Sequence, residues 1–330
     1  MRICVFGAGA VGGHFSVRLA RAGHDVSIVA RGEHLEAIRT NGLNLLAGKE
    51  RLCEKVRAAS DAEMLGPQDV VLVTLKSTSL HGLAGSIAPL LVDSTTIVFA
   101  QNGIPWWYAI DAPAAPFRAP DLSWMDPGGD LAALRSHVLG GVIYSANEVV
   151  APGVVRNNSV GLNRLLLGEL DDAQTGRLAE LRGAFEASGI GSPAIPVIRA
   201  SVWSKLIMNI SSSILAAVAG APTAELRADA AFERLFQRLH AEACAIASAC
   251  LPAFDPPPPL KARGGHTPSI LQDYERRRPM EIDGLVIAPL QFARAAGVET
   301  PTFDALATLL VEKAVRAGLH KPARALALGD

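Results

Sequence analysis

"RICVFGAGAVGGHF" (Arg2–Phe15) is the stretch on which the reading of the whole chain turns. Arg2–Phe6 is a short β-prone run that stops at glycine. From Ala10 onward, Val11, Phe15 and Leu19 recur at helical spacing, and Gly23 supplies a C-terminal stop. Gly7, Gly9 and Gly12 therefore stand in GxGxxG spacing after a strand and at the opening of a helix, the context in which that pattern carries meaning. Gly7 suits the tight turn, Gly9 lets the backbone approach a pyrophosphate, and Gly12 lets helix and sheet pack closely. The helix start adds unpaired N–H groups and a positive dipole end. Gly7, Ala8, Gly9, Ala10, Val11 and Gly12 are thus expected to hold a dinucleotide. A glycine-rich turn without a ligand is the alternative.

Outward from this stretch, strand and helix alternate. "DVSIV" (Asp25–Val29) reads as a second strand, and "EHLEAIRTNG" (Glu33–Gly42) as a helix closed by Asn-Gly. "GLNLLAGKERLCEKVRAAS" has the look of an antiparallel excursion about Ala47-Gly48. "DVVLVTLK" (Asp69–Lys76) and "TTIVFAQNG" (Thr95–Gly103) contain largely apolar strands, as in a parallel sheet covered on both faces. The alternation predicts a doubly wound α/β domain. From His137 three segments mix polar and apolar positions, as strands of an antiparallel extension would. A helix at Thr175–Gly189 and the linker "SPAIPVI" follow. The expected division is a Rossmann-like nucleotide-binding domain over 1–196 and an all-helical domain over 197–330. "DPPPPLKARGGHTPS" (Asp255–Ser269) reads as a polyproline loop within the second domain.

The second strand ends "IVARGE". Arg31, at its tip, stands where an NAD site would place an acid, and a guanidinium suits a 2′-phosphate. NADP(H) is the expected cofactor, with a solvated surface arginine as the alternative. Lys76 and Asn102 end successive strands of the predicted parallel sheet, where ligands collect in open α/β folds. Lys76 also fits a solvated strand end, and Asn102 a turn former before Gly103.

"WSKLIMNISSSILAAVAG" (Trp203–Gly220) reads as a buried helix, yet it carries Lys205, Asn209 and Ser213 along one row. Such a row is costly to bury unless it lines a polar cavity, or unless Lys205 snorkels outward. Further on, "HTPSILQDYERRRPMEIDG" sets Ser269 and Glu281 at either end of an amphipathic stretch. Ser269 also suits a helix N-cap, and Glu281 a helix-start carboxylate.

Composition excludes some classes. The 330 residues are 49% hydrophobic and 19% charged with a net charge of −1, which gives no electrostatic case for nucleic acid or anionic membrane. Four cysteines show neither CxxC nor zinc spacing, so no metal site is expected and the thiols read as reduced and packed in a cytosolic protein. Residue 1 opens on a strand, so no signal peptide is expected.

The ordered set GAGAVGG, VTLK, QNG, WSKLIMN and SILQDYERRRPMEID resembles the ketopantoate reductase (2-dehydropantoate 2-reductase) family, from Met1 to about Pro301. The resemblance implies a Rossmann-like domain joined to an all-α domain, with the active site in the cleft between them. It also implies NADPH-dependent reduction of a 2-oxo acid to a 2-hydroxy acid in pantothenate biosynthesis. By position, Lys205 resembles the family's general acid and Glu281 its substrate-organising carboxylate. Asn209 and Ser269 resemble substrate-binding residues, and Asn102 and Lys76 match positions at the cofactor and substrate mouth. Ser213 stands where the family pattern repeats asparagine, and is counted with the substrate-binding residues. "IPWWYAIDAPAAPFRAPDLSWMDPGGD" (Ile104–Asp130) is longer and more aromatic than the family's usual segment. As a substrate lid it would favour a bulkier, more apolar acid than ketopantoate; as a satellite core it would not. Partners are then a small-molecule 2-oxo acid, with no nucleic acid or membrane and a homodimer left open. The competing classes are another dehydrogenase of this architecture and a non-catalytic NADPH sensor. A sensor has no need of Lys205, Asn209, Ser269 and Glu281 together.

Overall fold

A computed structural model describes residues 1–113, 117–251, 253–259 and 267–321. The chain divides into two compact units, Met1–Gln101 with Gly128–Ile198, and Asn102–Pro127 with Arg199–Asp330. Instead of one cut before residue 197, the segment 102–127 leaves the sheet unit and groups with the helices. The cause is its aromatic content, described below.

The sheet unit holds eleven strands among the described residues: β1 (Arg2–Phe6), β2 (Asp25–Val29), β3 (Leu43–Ala47), β4 (Glu50–Glu54), β5 (Arg57–Ala59), β6 (Val70–Val73), β7 (Thr96–Ala100), β8 (Val138–Tyr144), β9 (Asn147–Ala151), β10 (Val154–Asn157) and β11 (Arg164–Glu169). Seven form one sheet in the order β11-β8-β7-β6-β1-β2-β5, parallel except for β11 against β8. β6 and β7 are buried at every position, so side chains on both faces are covered, as their continuous apolar runs predict. The core gathers Ile3, Val5, Leu72 and Val98 with Phe15 and Leu19 of helix Ala10–Arg21 and Phe185 of helix Gly176–Ala187. Phe15 and Phe185 meet edge to face, 5.9 Å between centroids.

A smaller sheet runs β4-β3-β10-β9. The β3–β4 hairpin about Ala47-Gly48 is antiparallel, as its sequence suggests. The region after His137 differs from a simple antiparallel extension in two places. β8 lies parallel to β7, and β10 lies parallel to β3, 100 residues or more away in sequence. Both pairings are long-range, and β8 is buried throughout all but its last residue, which places it inside the parallel sheet. Of the cysteines, Cys4 and Cys250 are buried, Cys244 is half-buried and Cys53 is exposed; all four are free thiols. Cys53 departs from the expectation of packed thiols: it lies on edge strand β4, none of whose residues is buried.

The second unit is helical. A continuous run from Ile198 to Ala219 is α-helical to Met208, widens to a π-helical segment at Asn209–Ile214, and returns to α-helix at Leu215–Ala219. Gly220 closes it in the left-handed conformation, and Lys313 Nζ donates to the last carbonyls, Ala217 O at 2.7 Å and Val218 O at 3.3 Å. This run is long and apolar enough to cross a membrane, but 61% of its apolar window is buried inside the protein, as for a core helix. Helices Ala230–Cys250, Ser269–Glu275, Ala288–Ala295 and Pro301–Arg316 complete the unit, with a second π-helical segment at Asp283–Ile287. Residues 260–266 of the proline-rich loop lie outside the described residues.

The aromatic segment belongs to this core. Trp107 is wholly buried, and Tyr108 packs edge-on against Phe292 and Trp203, with centroids 5.0 Å and 6.5 Å away. Trp203 Nε1 donates to the Tyr108 hydroxyl at 2.7 Å, and buried Arg199 donates to the carbonyls of Tyr108 and Ile110 at 2.8 and 2.9 Å. The aromatic surface of Trp107 and Tyr108 is therefore committed to protein packing rather than offered as a substrate lid.

Candidate active site

In the sheet unit, each glycine of the loop meets a different physical demand. Gly7 has φ of +105°, a conformation L side chains rarely adopt. A Cβ on Gly12 would lie 2.2 Å from Gly7 O and 2.4 Å from Thr74 Oγ1, so only hydrogen fits. A Cβ on Gly9 would meet nothing within 4 Å, so the space beside it is clear for an incoming group, while its own N–H donates to Gly7 O at 2.8 Å. Helix Ala10–Arg21 then starts at Gly9 with no side-chain cap and no acid in its first turn. Thr74 Oγ1 donates to Gly7 O at 2.6 Å and ties the loop to the end of β6. A helix start with no side-chain cap, behind a glycine with clear space beside it, is what a dinucleotide pyrophosphate requires, so these residues fit that group.

Arg31 follows β2 as the residue preceding helix Gly32–Asn41 and is exposed, with Glu33 in that helix's first turn. Lys76 lies past the end of β6, which stops at Val73, and opens the turn Ser77–Ser79 half-buried. Two residues not singled out by the sequence reading join the loop, Thr74 and His34. Thr74 lay inside the quoted "VTLK"; His34 reaches the carbonyl of Ala8, 26 residues earlier, and no local pattern announces that contact.

In the helical unit the structure brings Asn102 and Glu281 together across 179 residues, Asn102 Nδ2 donating to Glu281 Oε2 at 3.5 Å. What sets them side by side is backbone. Gly103, at φ +82°, lies so close to Gly284 that a Cβ there would come within 2.4 Å of its carbonyl, and Ile104 N–H donates to Gly284 O at 2.8 Å. Glu281 is buried at the start of the helical run that contains the Asp283–Ile287 π segment.

Lys205 occupies the last turn of the α-helical stretch before the other π segment, and Asn209 is the first residue of that segment. Widened turns of this kind recur at functional sites, where they redirect side chains. Burial holds the Lys205 amine below its ordinary range, at about 8, because the charged form loses hydration. Asn209 Nδ2 is buried with no hydrogen-bond partner among the described residues, a donor in want of an acceptor. Ser213 is half-buried within the same π segment. Ser269 is exposed as the first residue of helix Ser269–Glu275; Pro268, not Ser269, takes the capping position. Among the described residues no cluster of three or more metal-ligating side chains forms.

Residues 3–172 match the ketopantoate reductase PanE/ApbA family, and residues 197–314 match its C-terminal domain. The chain belongs to the ketopantoate reductase family. A 2-dehydropantoate 2-reductase from Mesorhizobium japonicum is 40% identical over 328 residues, covering 97% of this chain and 100% of that one. A candidate ketopantoate reductase from Ralstonia solanacearum superposes with a TM-score of 0.84 at 35% identity, over 97% and 99% of the two chains. D-mandelate dehydrogenase, solved with NADH and anilino(oxo)acetate, shares the fold at a TM-score of 0.78 and 21% identity, over 97% of this chain and 100% of that one. As a ketopantoate reductase family member, the chain is an oxidoreductase of the kind that acts on a CH–OH group, with a Rossmann-like sheet unit and a helical C-terminal unit.

Proposed function

We propose that this enzyme reduces 2-dehydropantoate (ketopantoate) to the 2-hydroxy acid with NADPH, the sheet unit holding the nucleotide and the helical unit supplying the acid. The observation that carries the reading is Lys205: an amine held at about 8 by burial, one helical turn from the unpartnered donor of Asn209. A general acid works best when its pKa lies near the working pH, because it is then both largely protonated and willing to give the proton up.

The residues would divide the work as follows. Gly7–Gly12 and the helix start behind them hold the pyrophosphate, and Arg31 takes the 2′-phosphate. The fold itself does not choose between the two cofactors, since D-mandelate dehydrogenase takes NADH on it. When bound, the reduced nicotinamide supplies the hydride. Lys205 donates a proton to the substrate's carbonyl oxygen as negative charge builds there, and Asn209 Nδ2 offers a hydrogen bond to a substrate oxygen. Glu281, held by Asn102, accepts from a substrate hydroxyl. Ser213 and Ser269 are assigned to the substrate's periphery, and Lys76 to the mouth of the nucleotide site.

Ketopantoate is preferred over a bulkier acid because the Trp107 and Tyr108 rings are buried in the helical core. Ser213, smaller than the asparagine of the family pattern, is the feature that still favours another 2-oxo acid. The reading takes the enzyme to be cytoplasmic, without nucleic-acid or membrane partners, and a homodimer is tested by sedimentation. The deciding experiment follows NADPH oxidation with a panel of 2-oxo acids, ketopantoate included, in wild type and Ser213→Asn. Ketopantoate with the highest kcat/KM is the expected result; no turnover of any 2-oxo acid would overturn the proposal.

A further inference from the structure

The imidazole of His34 joins three separate pieces of the sheet unit. His34 is the third residue of helix Gly32–Asn41, the helix that Arg31 precedes. Its Nδ1 faces the backbone N–H of Gly153 at 3.0 Å, and its Nε2 lies 2.7 Å from the carbonyl oxygen of Ala8. A ring nitrogen that receives an N–H must be bare, so the ring proton sits on Nε2 and is donated to Ala8 O. Gly153, at φ +72° in the turn between β9 and β10, is held close to the same helix, for a Cβ there would come 3.2 Å from Ala37 Cβ. Ala8 N–H in turn donates to Val29 O at 3.3 Å.

Both polar backbone groups of Ala8 are therefore engaged, and Ala8 is the residue between the turn glycine and the open glycine of the loop. With the Ala8 carbonyl held by His34 and the Gly9 N–H donating to Gly7 O at 2.8 Å, the Ala8–Gly9 peptide plane is tied at both ends, and the shape of the loop is set before a ligand arrives. The same ring belongs to the first turn that follows Arg31. One side chain thus keeps the pyrophosphate loop and the 2′-phosphate residue in a common register.

We infer that His34 is a positioning residue for the nucleotide: its Nε2–H fixes the Ala8 carbonyl and so presets the glycine-rich loop. The inference rests on the nucleotide reading above. It separates from a plain structural tie through two variants. His34→Gln keeps an N–H where Nε2 stood and loses the acceptor for Gly153. His34→Asn keeps an acceptor near the position of Nδ1 and loses the bond to Ala8.

The experiment titrates NADPH into wild type, His34→Asn and His34→Gln, with melting curves and saturating-cofactor kcat for each. Loss of one net hydrogen bond predicts NADPH binding about five- to tenfold weaker in His34→Asn. His34→Gln is expected to stay within about twofold of wild type, because the loop-facing donor is retained. The two variants should melt together, and kcat at saturating NADPH should match wild type in both. Wild-type affinity in His34→Asn, equal losses in both variants, or a change confined to kcat would overturn the inference. A wild type that binds neither NADPH nor NADH would overturn the nucleotide reading and this inference with it.

Discussion

The loop Gly7–Gly12 and the pair Asn102–Glu281 are both ligand-binding elements in the proposed reaction, yet they are made in opposite ways. The loop is six consecutive residues whose shape follows from where a Cβ can and cannot be placed. The pair spans 179 residues and depends on a glycine–glycine backbone contact and a strap anchored by Tyr108 to the Lys205 helix. A local site needs one turn and one helix start; a dispersed site needs a packed core before any of its side chains meet. The contiguous loop takes only a few distant ties, from Thr74 and His34, whereas the Asn102–Glu281 pair inherits every change in the helical core.

That contrast can be broken most directly at Lys205. Lys205→Ala is expected to lower turnover by roughly 10²–10⁴-fold, the usual share of a general acid. NADPH affinity, measured by titration, should not move. Turnover near that of wild type in a folded variant would make the lysine a core residue with no part in the chemistry.

At the other half, Arg31→Ala is expected to weaken NADPH by about ten- to a hundredfold, as loss of charge-assisted hydrogen bonds would. NADH binding and kcat at saturating cofactor should hardly change. Equal affinity of the wild type for both nucleotides would refute the assignment of Arg31.

A pH profile sharpens the contrast further. Lys205 titrates at about 8, and reduction needs its protonated form, so kcat/KM for the 2-oxo acid should fall as pH rises through that value. The limiting slope is about tenfold per pH unit, as for loss of one essential proton. The reverse oxidation needs the neutral amine and should rise over the same interval. A reduction rate flat from pH 7 to about 10 would remove Lys205 from the role of acid.

The smallest effect is expected at Tyr108. Tyr108→Phe strands the buried Trp203 N–H, at a cost of about 1–3 kcal/mol, read by denaturant unfolding. Preference among 2-oxo acids should be unchanged, because the ring packs on protein. A shift in preference toward smaller acids would return the aromatic segment to the substrate.

The first half of the fold is legible from residues alone because its signals are local. β1, β2, β6 and β7 show as apolar runs, and the loop shows as glycine spacing between a strand and a helix. The parallel pairing of β8 with β7 and of β10 with β3 has no such signal, since a strand's own residues do not name its neighbour. The widened turns at Asn209–Ile214 and Asp283–Ile287 are equally silent, because one residue more per turn leaves composition untouched.

What the sequence determined by itself was therefore the family, the glycine-rich loop between a strand and a helix, and the presence of a polar row in an apolar helix. These rest on short-range periodicity and on residue chemistry that a linear reading can see. Only the tertiary structure decided that 102–127 joins the helical unit, that Trp107 and Tyr108 are core, that Ser269 is exposed, and that His34 holds Ala8. Each of these depends on which distant surfaces exclude water together, and burial is a property of the packed chain rather than of any segment within it.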